Sequence, residues 1–202
     1  IEVETSQSNN FLPTAEELKP HLEGAVLLAL CSPLNPTGTM FTKDQLTEIC
    51  ELVLEENKKR DENEKPLYLM YDQIYAMLTF DEEHFNPVSL FPEMKKYTIF
   101  IDGTSKCFAA TGVRVGWSFG PAEIIDKMKS LLGHIGAWAP KPEQQAVSVF
   151  LGETENVDFF VNDFKGKIAE SLKILHTGIQ EMKSRGLQVD SIKPMGALYL
   201  TI

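Results

Sequence analysis

Cysteine is scarce in this chain of 202 residues: there are three, Cys31, Cys50 and Cys107. They are odd in number and show no Cys-x-x-Cys spacing, which argues against a disulfide framework and against a thiolate metal knot. The four histidines, His21, His84, His134 and His176, are scattered and lack the spacing of metal ligands. We read them as ordinary surface or half-buried side chains. No apolar run approaches the ~20 residues that a membrane span requires. Basic residues are outnumbered, 19 against 29 acidic, giving a net charge of −10. A chain so acidic is a poor partner for nucleic acid or for an anionic membrane surface. Internal repeats and low-complexity stretches are missing too. A signal-like segment is also absent, which excludes nothing, because the chain opens Ile1-Glu-Val-Glu-Thr5 without methionine. It stops inside an apolar run, Leu198–Ile202, so we read it as a segment of a longer protein.

What is present is a well-supplied core and regular punctuation. Hydrophobic residues make up 43% of the chain, enough for one sizeable domain. Ile1–Thr5 alternates apolar and acidic residues, as an edge strand does. Thr14-Ala-Glu-Glu17 fits a capping box opening a short helix through about His21, and Gly24 breaks it. Ala25–Cys31 is a continuous apolar run, suited to a central strand covered on both faces. It leads into a dense turn, Ser32-Pro33-Leu34-Asn35-Pro36-Thr37-Gly38. A second capping box, Thr42 with Gln45, starts an amphipathic helix through Leu46, Ile49, Cys50, Val53 and Leu54, ending in the charged run Glu55–Lys65. Leu67–Tyr71 is the next buried strand, with Asp72 at its end and Tyr75 three residues on. Phe80–Pro92 reads as loop.

Tyr97–Ile101 is a strand that runs into Asp102-Gly103-Thr104-Ser105-Lys106. Val113–Phe119 follows too closely for a crossover helix, so it pairs antiparallel with that strand. Helices are expected over Pro121–Leu132, over Glu143–Leu151 and, as one long element, over about Asn156–Ser184. The last carries apolar residues every three or four positions, from Val157 through Phe160, Phe164, Ile168, Leu172, Leu175 and Ile179 to Met182, a packing stripe that Gly186 ends. Leu187–Val189 and Ala197–Ile202 look like strands opening a further unit. The alternation of strands and helices predicts an α/β fold with a largely parallel sheet. In such sheets ligands sit outside the C-terminal strand ends, where Asn35, Asp72 and Lys106 all fall. A lysine at such a turn is a potential nucleophile toward a carbonyl, and an arginine with small hydroxyls beside it suits a phosphate.

Taken together, Asn35-Pro36-Thr37-Gly38, Asp72 with Tyr75, Ser105-Lys106, Gly112-Val-Arg114-Val-Gly116-Trp117 and Pro194-Met-Gly196-Ala-Leu-Tyr199 resemble the class I/II aminotransferases, pyridoxal-phosphate (PLP) enzymes of fold type I, in the aspartate and aromatic branch. The resemblance covers essentially the whole chain. It implies a three-layer α/β/α large domain, mostly parallel with one antiparallel strand, whose later part is residues 1–155. Residues 156–185 would be a long connecting helix and 186–202 the start of a small C-terminal domain. It implies that Lys106 forms the internal aldimine with pyridoxal 5′-phosphate. Asp72 would pair with the ring nitrogen, keeping it protonated so that the ring accepts electrons. Asn35 and Tyr75 would bond the phenolate oxygen, and Ser105 and Arg114 the phosphate. The implied reaction moves an amino group between an L-amino acid, aspartate or similar, and a 2-oxo acid. The same residues serve PLP lyases or synthases on this fold, and a non-catalytic PLP-binding regulator is a third possibility. A cytoplasmic homodimer, without metal, nucleic acid or membrane partner, is the implied setting.

One position departs from the pattern. Many members carry serine three residues before the lysine; here that position is Gly103, so one phosphate hydroxyl is either missing or supplied by Thr104. The family's phosphate loop and ring-stacking aromatic lie upstream of this segment, and its carboxylate-binding arginine lies downstream. The isolated segment is therefore expected to be inactive.

Overall fold

A computed structural model describes residues 1–202. Four strands form one sheet in the order β1 (Leu27–Cys31), β2 (Tyr68–Asp72), β3 (Thr98–Gly103) and β4 (Gly116–Phe119). β1 and β2 pair parallel, as do β2 and β3; β4 runs antiparallel to β3, as the short connection predicts. Cys31 lies opposite Asp72, and Asp72 opposite Ile101, so β1 and β2 end level and β3 runs two residues further on the same side.

The first helices form where the capping boxes place them. Thr14 Oγ1 accepts from the Glu17 N–H, and Glu17 returns the bond to the Thr14 N–H, starting α1 (Ala15–Leu18), which tightens into a 3₁₀ turn over Lys19–His21. Thr42 and Gln45 make the same reciprocal pair at the head of α2 (Lys43–Lys59). The face of α2 carrying Leu46, Ile49, Cys50 and Val53 is fully buried on the sheet. Each such side chain contributes roughly 1.5–3 kcal/mol by leaving water. At its far end the Asn57 amide bonds both the N–H and the carbonyl of Leu67, fixing where β2 begins. The resulting core is a cluster of 15 buried residues, all between Leu12 and Phe100.

Downstream the packing thins. α4 (Ala122–Ile135) and α5 (Lys141–Gly152) contain no buried residue, and α6 (Thr154–Ser184) buries only Val157, Val161 and Leu172. Phe164 and Ile168 of its stripe pack on a second, smaller cluster of Tyr75, Leu78, Cys107 and Ala197, while Leu175 and Met182 stay exposed. The stripe is thus only partly a packing face. The helix does stop at Ser184, with Gly186 at φ +90 just beyond it.

Several expectations are corrected. Ile1–Thr5 is not a strand, since no neighbour offers it a ladder; β1 pairs only with β2. β1 is therefore an edge strand in this sheet, not a central one, with Leu27 49% exposed. α3 (Pro87–Leu90), capped by the Asn86 side chain, is a helical turn inside the stretch read as loop. β4 begins only at Gly116, because Thr111–Val113 closes a 3₁₀ turn and Arg114 takes a left-handed φ of 58. Leu187–Val189 and Ala197–Ile202 are not strands either. Ala197 turns the chain at φ 61, and the segment around it bonds to two turns instead of a ladder.

Candidate cofactor site

The common end of β1, β2 and β3 gathers most of the polar residues singled out by sequence. Beyond β1 the Ser32 N–H donates to the Asp72 carbonyl at 3.0 Å, holding the Asn35 turn beside the end of β2. His84 supports the same turn, its Nε2 3.1 Å from the Ser32 carbonyl. Asp72 Oδ1 accepts from the Ile74 N–H at 3.0 Å, an Asx-type bond that turns the chain toward Tyr75, while Oδ2 has no partner within the chain. Tyr75 is buried, 2% exposed, and its hydroxyl is hydrogen bonded to that of Tyr199. Burial, with the Tyr199 hydroxyl next in weight, pushes the Tyr75 phenol up, so it keeps its proton as a donor.

The lysine turn is fastened from the other side. Gly103 ends β3 opposite Gly116, and a Cβ on Gly103 would lie 2.9 Å from the Gly116 Cα and 3.0 Å from the Val115 carbonyl. No serine fits there, which accounts physically for the departure from the family pattern. Nor does Thr104 replace it: its N–H and its hydroxyl both donate to the Val115 carbonyl at 3.1 Å, and the side chain is buried. That double bond from Thr104 sets Ser105-Lys106 alongside Arg114-Val115. Cys107, next after Lys106, packs in the small cluster with Tyr75, so the lysine turn and the Tyr75 turn share one floor. Burial pushes the Cys107 thiol up to about 12, which keeps it an inert packing group.

Lys106 forms no ion pair with any carboxylate of the chain. Arg114 is exposed and donates to the Thr111 carbonyl at 2.8 Å; it is not bonded to Ser105. A left-handed φ at an arginine costs about 1–2 kcal/mol, a local strain of the kind that accumulates at functional sites. An apolar cavity of about 400 Å³ lies between Phe108, Val147, Phe150 and Phe160, and a groove of about 820 Å³ runs past Asp102, Arg114 and Trp117.

Two neighbours escaped the sequence reading. Asp102 holds the Gly103 N–H at 2.7 Å and faces the Gln73 amide. Its carboxyl titrates above the usual range chiefly because it is desolvated; those two bonds oppose the shift and the nearby Asp72 charge adds to it. Tyr199 was visible as part of a motif, but nothing in the sequence says that it meets Tyr75, 124 residues away.

As a donor set the group suits PLP. It offers an amine for a carbonyl, a carboxylate for a ring nitrogen, an amide and a phenol for one oxygen, and a guanidinium with a hydroxyl for a phosphate.

Comparison with known proteins decides the family. A family model described as "Aminotransferase class I and II" matches residues 1–202. The chain belongs to the class I and II aminotransferases. Among its relatives in this family is an aspartate aminotransferase of Bacillus sp. (strain YM-2), 29% identical, with 99% of this chain and 47% of the relative covered. An aspartate/prephenate aminotransferase of Thermus thermophilus is 29% identical over 99% of this chain and 48% of its own length. Among solved aminotransferase structures, the Thermus thermophilus aspartate aminotransferase with maleate superimposes at a TM-score of 0.84, 28% identical, covering 99% of this chain and 48% of that one. The aromatic aminotransferase of Pyrococcus horikoshii gives 0.85, 28% identical, over 98% of this chain and 49% of that one. The fold is thus that of these aminotransferases, and the chain spans about half the length of the curated relatives it matches. No helix of this aminotransferase chain is long and apolar enough to cross a membrane.

Proposed function

We propose that the protein carrying this chain is a PLP-dependent aminotransferase that exchanges an amino group between an L-amino acid of the aspartate kind and a 2-oxo acid. The observation that carries the reading is the convergence of the Asn35 turn, Asp72, Tyr75 and the Ser105-Lys106 turn at one end of the parallel strands, in a chain matched along its whole length by the family. The aspartate preference rests on the relatives named above and on nothing in the chain itself.

Bound PLP supplies an electrophilic carbonyl and a ring that accepts an electron pair from a substrate carbon. The residues of the chain supply the rest. Lys106 Nζ would be the amine that faces the carbonyl and, when free, the base and acid that takes a proton from the substrate carbon and returns it. The Asp72 carboxylate would hold the ring nitrogen and keep it protonated. Tyr75 and Asn35 would donate to the phenolate oxygen, and Arg114 would pair with the phosphate through a planar fork that a lysine cannot reproduce. On this reading residues 1–155 are the later part of the large domain, 156–185 the connecting helix and 186–202 the opening of the small domain. Assembly as a homodimer belongs to the same reading and rests on the resemblance alone.

The test is the visible absorption of the intact protein with PLP, before and after L-aspartate, with Lys106→Ala as control. The expected result is a band that needs Lys106 and that aspartate converts to the amine form of the cofactor. A Lys106-dependent band unmoved by aspartate, or pyruvate released in place of amino exchange, would shift the assignment to another substrate or to a lyase. Absence of any band would remove the cofactor reading.

A further inference from the structure

The segment Pro194–Thr201 does more than leave the large domain. The Met195 and Gly196 N–H groups both donate to the Gly38 carbonyl, at 2.8 and 3.0 Å, and Thr201 Oγ1 donates to the Pro36 carbonyl at 3.0 Å. These three bonds grip the Asn35 turn. The Phe80 N–H donates to the Met195 carbonyl and the Ala197 N–H to the Leu78 carbonyl, which grips the turn that carries Tyr75. The fit leaves no slack. A Cβ on Gly196 would lie 2.8 Å from the Leu78 carbonyl, and one on Gly38 would lie 2.9 Å from the Tyr199 carbonyl. The segment therefore ties together the two turns whose side chains are assigned to one cofactor oxygen, and it delivers Tyr199 to Tyr75. The two rings meet edge to face, with centroids 5.6 Å apart, and their hydroxyls are hydrogen bonded.

A phenol carries one proton and accepts as well as donates. In the Tyr75–Tyr199 pair one hydroxyl must therefore give and the other receive. Were Tyr75 the donor, it would have no proton left for the cofactor. We infer that Tyr199 is a positioning residue: its hydroxyl donates to the Tyr75 oxygen and directs the single Tyr75 proton to the cofactor oxygen that Asn35 shares. This deepens the PLP reading and rests on it. A donor that itself accepts a hydrogen bond is polarised and donates more strongly. Tyr199 thus acts on the cofactor through Tyr75, without touching it.

The experiment is an absorption titration against pH of the intact, PLP-loaded protein, for the wild type, Tyr75→Phe, Tyr199→Phe and the double variant. Donation from Tyr75 draws charge from the cofactor oxygen; without it that oxygen holds the proton shared with Lys106 Nζ more tightly, and the midpoint rises. Tyr75→Phe is expected to give the larger rise. Tyr199→Phe should raise the proton affinity about two- to fivefold, a few tenths of a pH unit, because one polarising bond is lost. The double variant should titrate like Tyr75→Phe alone, since Tyr199 has no other route. Tyr199→Phe keeps the ring and its edge contact, so a structural role alone would leave the midpoint where it is. A titration unmoved by Tyr199→Phe, or shifts that add in the double variant, would overturn the inference while leaving the cofactor reading intact. A wild type with no Lys106-dependent band would instead overturn the cofactor reading and this inference with it. Urea unfolding without cofactor gives an independent check: the loss of midpoint in the double variant should be smaller than the sum of the two single losses, and strict additivity would overturn the pairing.

Discussion

Helices α2 and α5 look alike in sequence, each an apolar pattern on a polar ground, yet α2 buries five residues and α5 none. The difference extends to whole regions. Every member of the main core lies between Leu12 and Phe100, whereas Leu131, Ile135, Trp138, Val149 and Phe159 beyond it are each more than half exposed. Periodicity states which face of a helix is apolar; it does not state that a partner is there to cover it. α2 has three strands beneath it. α4 and α5 line an open groove with β4, the last strand of the sheet, and neither buries a residue. The chain covers about half the length of its curated relatives, and the contrast falls along the chain rather than between buried and polar residue types.

The most direct way to break that comparison is a matched pair of truncations. Ile49→Ala on α2 removes a fully buried side chain and is expected to cost about 2–5 kcal/mol. Val149→Ala on α5 removes one that is 67% exposed and should change stability by about 0.5 kcal/mol or less. Urea midpoints of the two variants decide it. Equal losses would mean that α5 is packed in solution and that the contrast between the regions is false.

Glycines give a finer probe, with opposite signs expected. Gly196→Ala places a methyl against the Leu78 carbonyl and the Pro33 ring, at 2.8 and 2.9 Å, and should destabilise by roughly 1–3 kcal/mol. Gly166→Ala in α6 meets nothing within 4 Å. There alanine only narrows the freedom of the unfolded chain and should stabilise by about 0.5–1 kcal/mol. Thermal unfolding of both variants reads the signs; a destabilising Gly166→Ala would mean that α6 has a covered face at that point.

What could be read in the sequence follows the same division. The two capping boxes, the strands ahead of Asp72 and Lys106 and the antiparallel turn-back into β4 are local patterns, and they appear where the chain places them. The order of Asn35, Asp72, Tyr75, Lys106 and Arg114 along the chain was also readable, since each sits in a turn after or beside a strand. Features that depend on what lies opposite were not. Gly103 looks like a missing serine until Gly116 is seen against it. Tyr199 looks like a strand residue until Ala197 turns the chain and sets it on Tyr75. The apolar run of β1 reads as central, yet no strand lies on its outer side in this sheet. Sequence pattern reports the chemistry of one element; these three features belong to pairs, whereas the α3 turn, capped locally by Asn86, is a short element that the proline-containing stretch around it hid.

His84 offers the smallest effect and a test confined to the packed region. It lies 5.9 Å from the Tyr71 ring, its Nε2 against the Ser32 carbonyl. Burial holds its pKa below the ordinary histidine value, and the carbonyl bond, which favours the charged ring, only partly opposes this. A histidine whose folded value is depressed binds a proton more readily when unfolded. Its contribution to stability is therefore complete above about pH 6.5, the unfolded value, and is lost as pH falls through the lower folded value. We expect urea midpoints of the wild type to drop between pH 7.5 and 5 by more than those of His84→Gln, which keeps an amide donor for Ser32 and does not titrate. The excess is read as a steeper fall of the wild-type midpoint below about pH 6.5 than that of the variant. Parallel curves for the two proteins would place His84 in water, and with it would go the support it gives to the turn that carries Asn35.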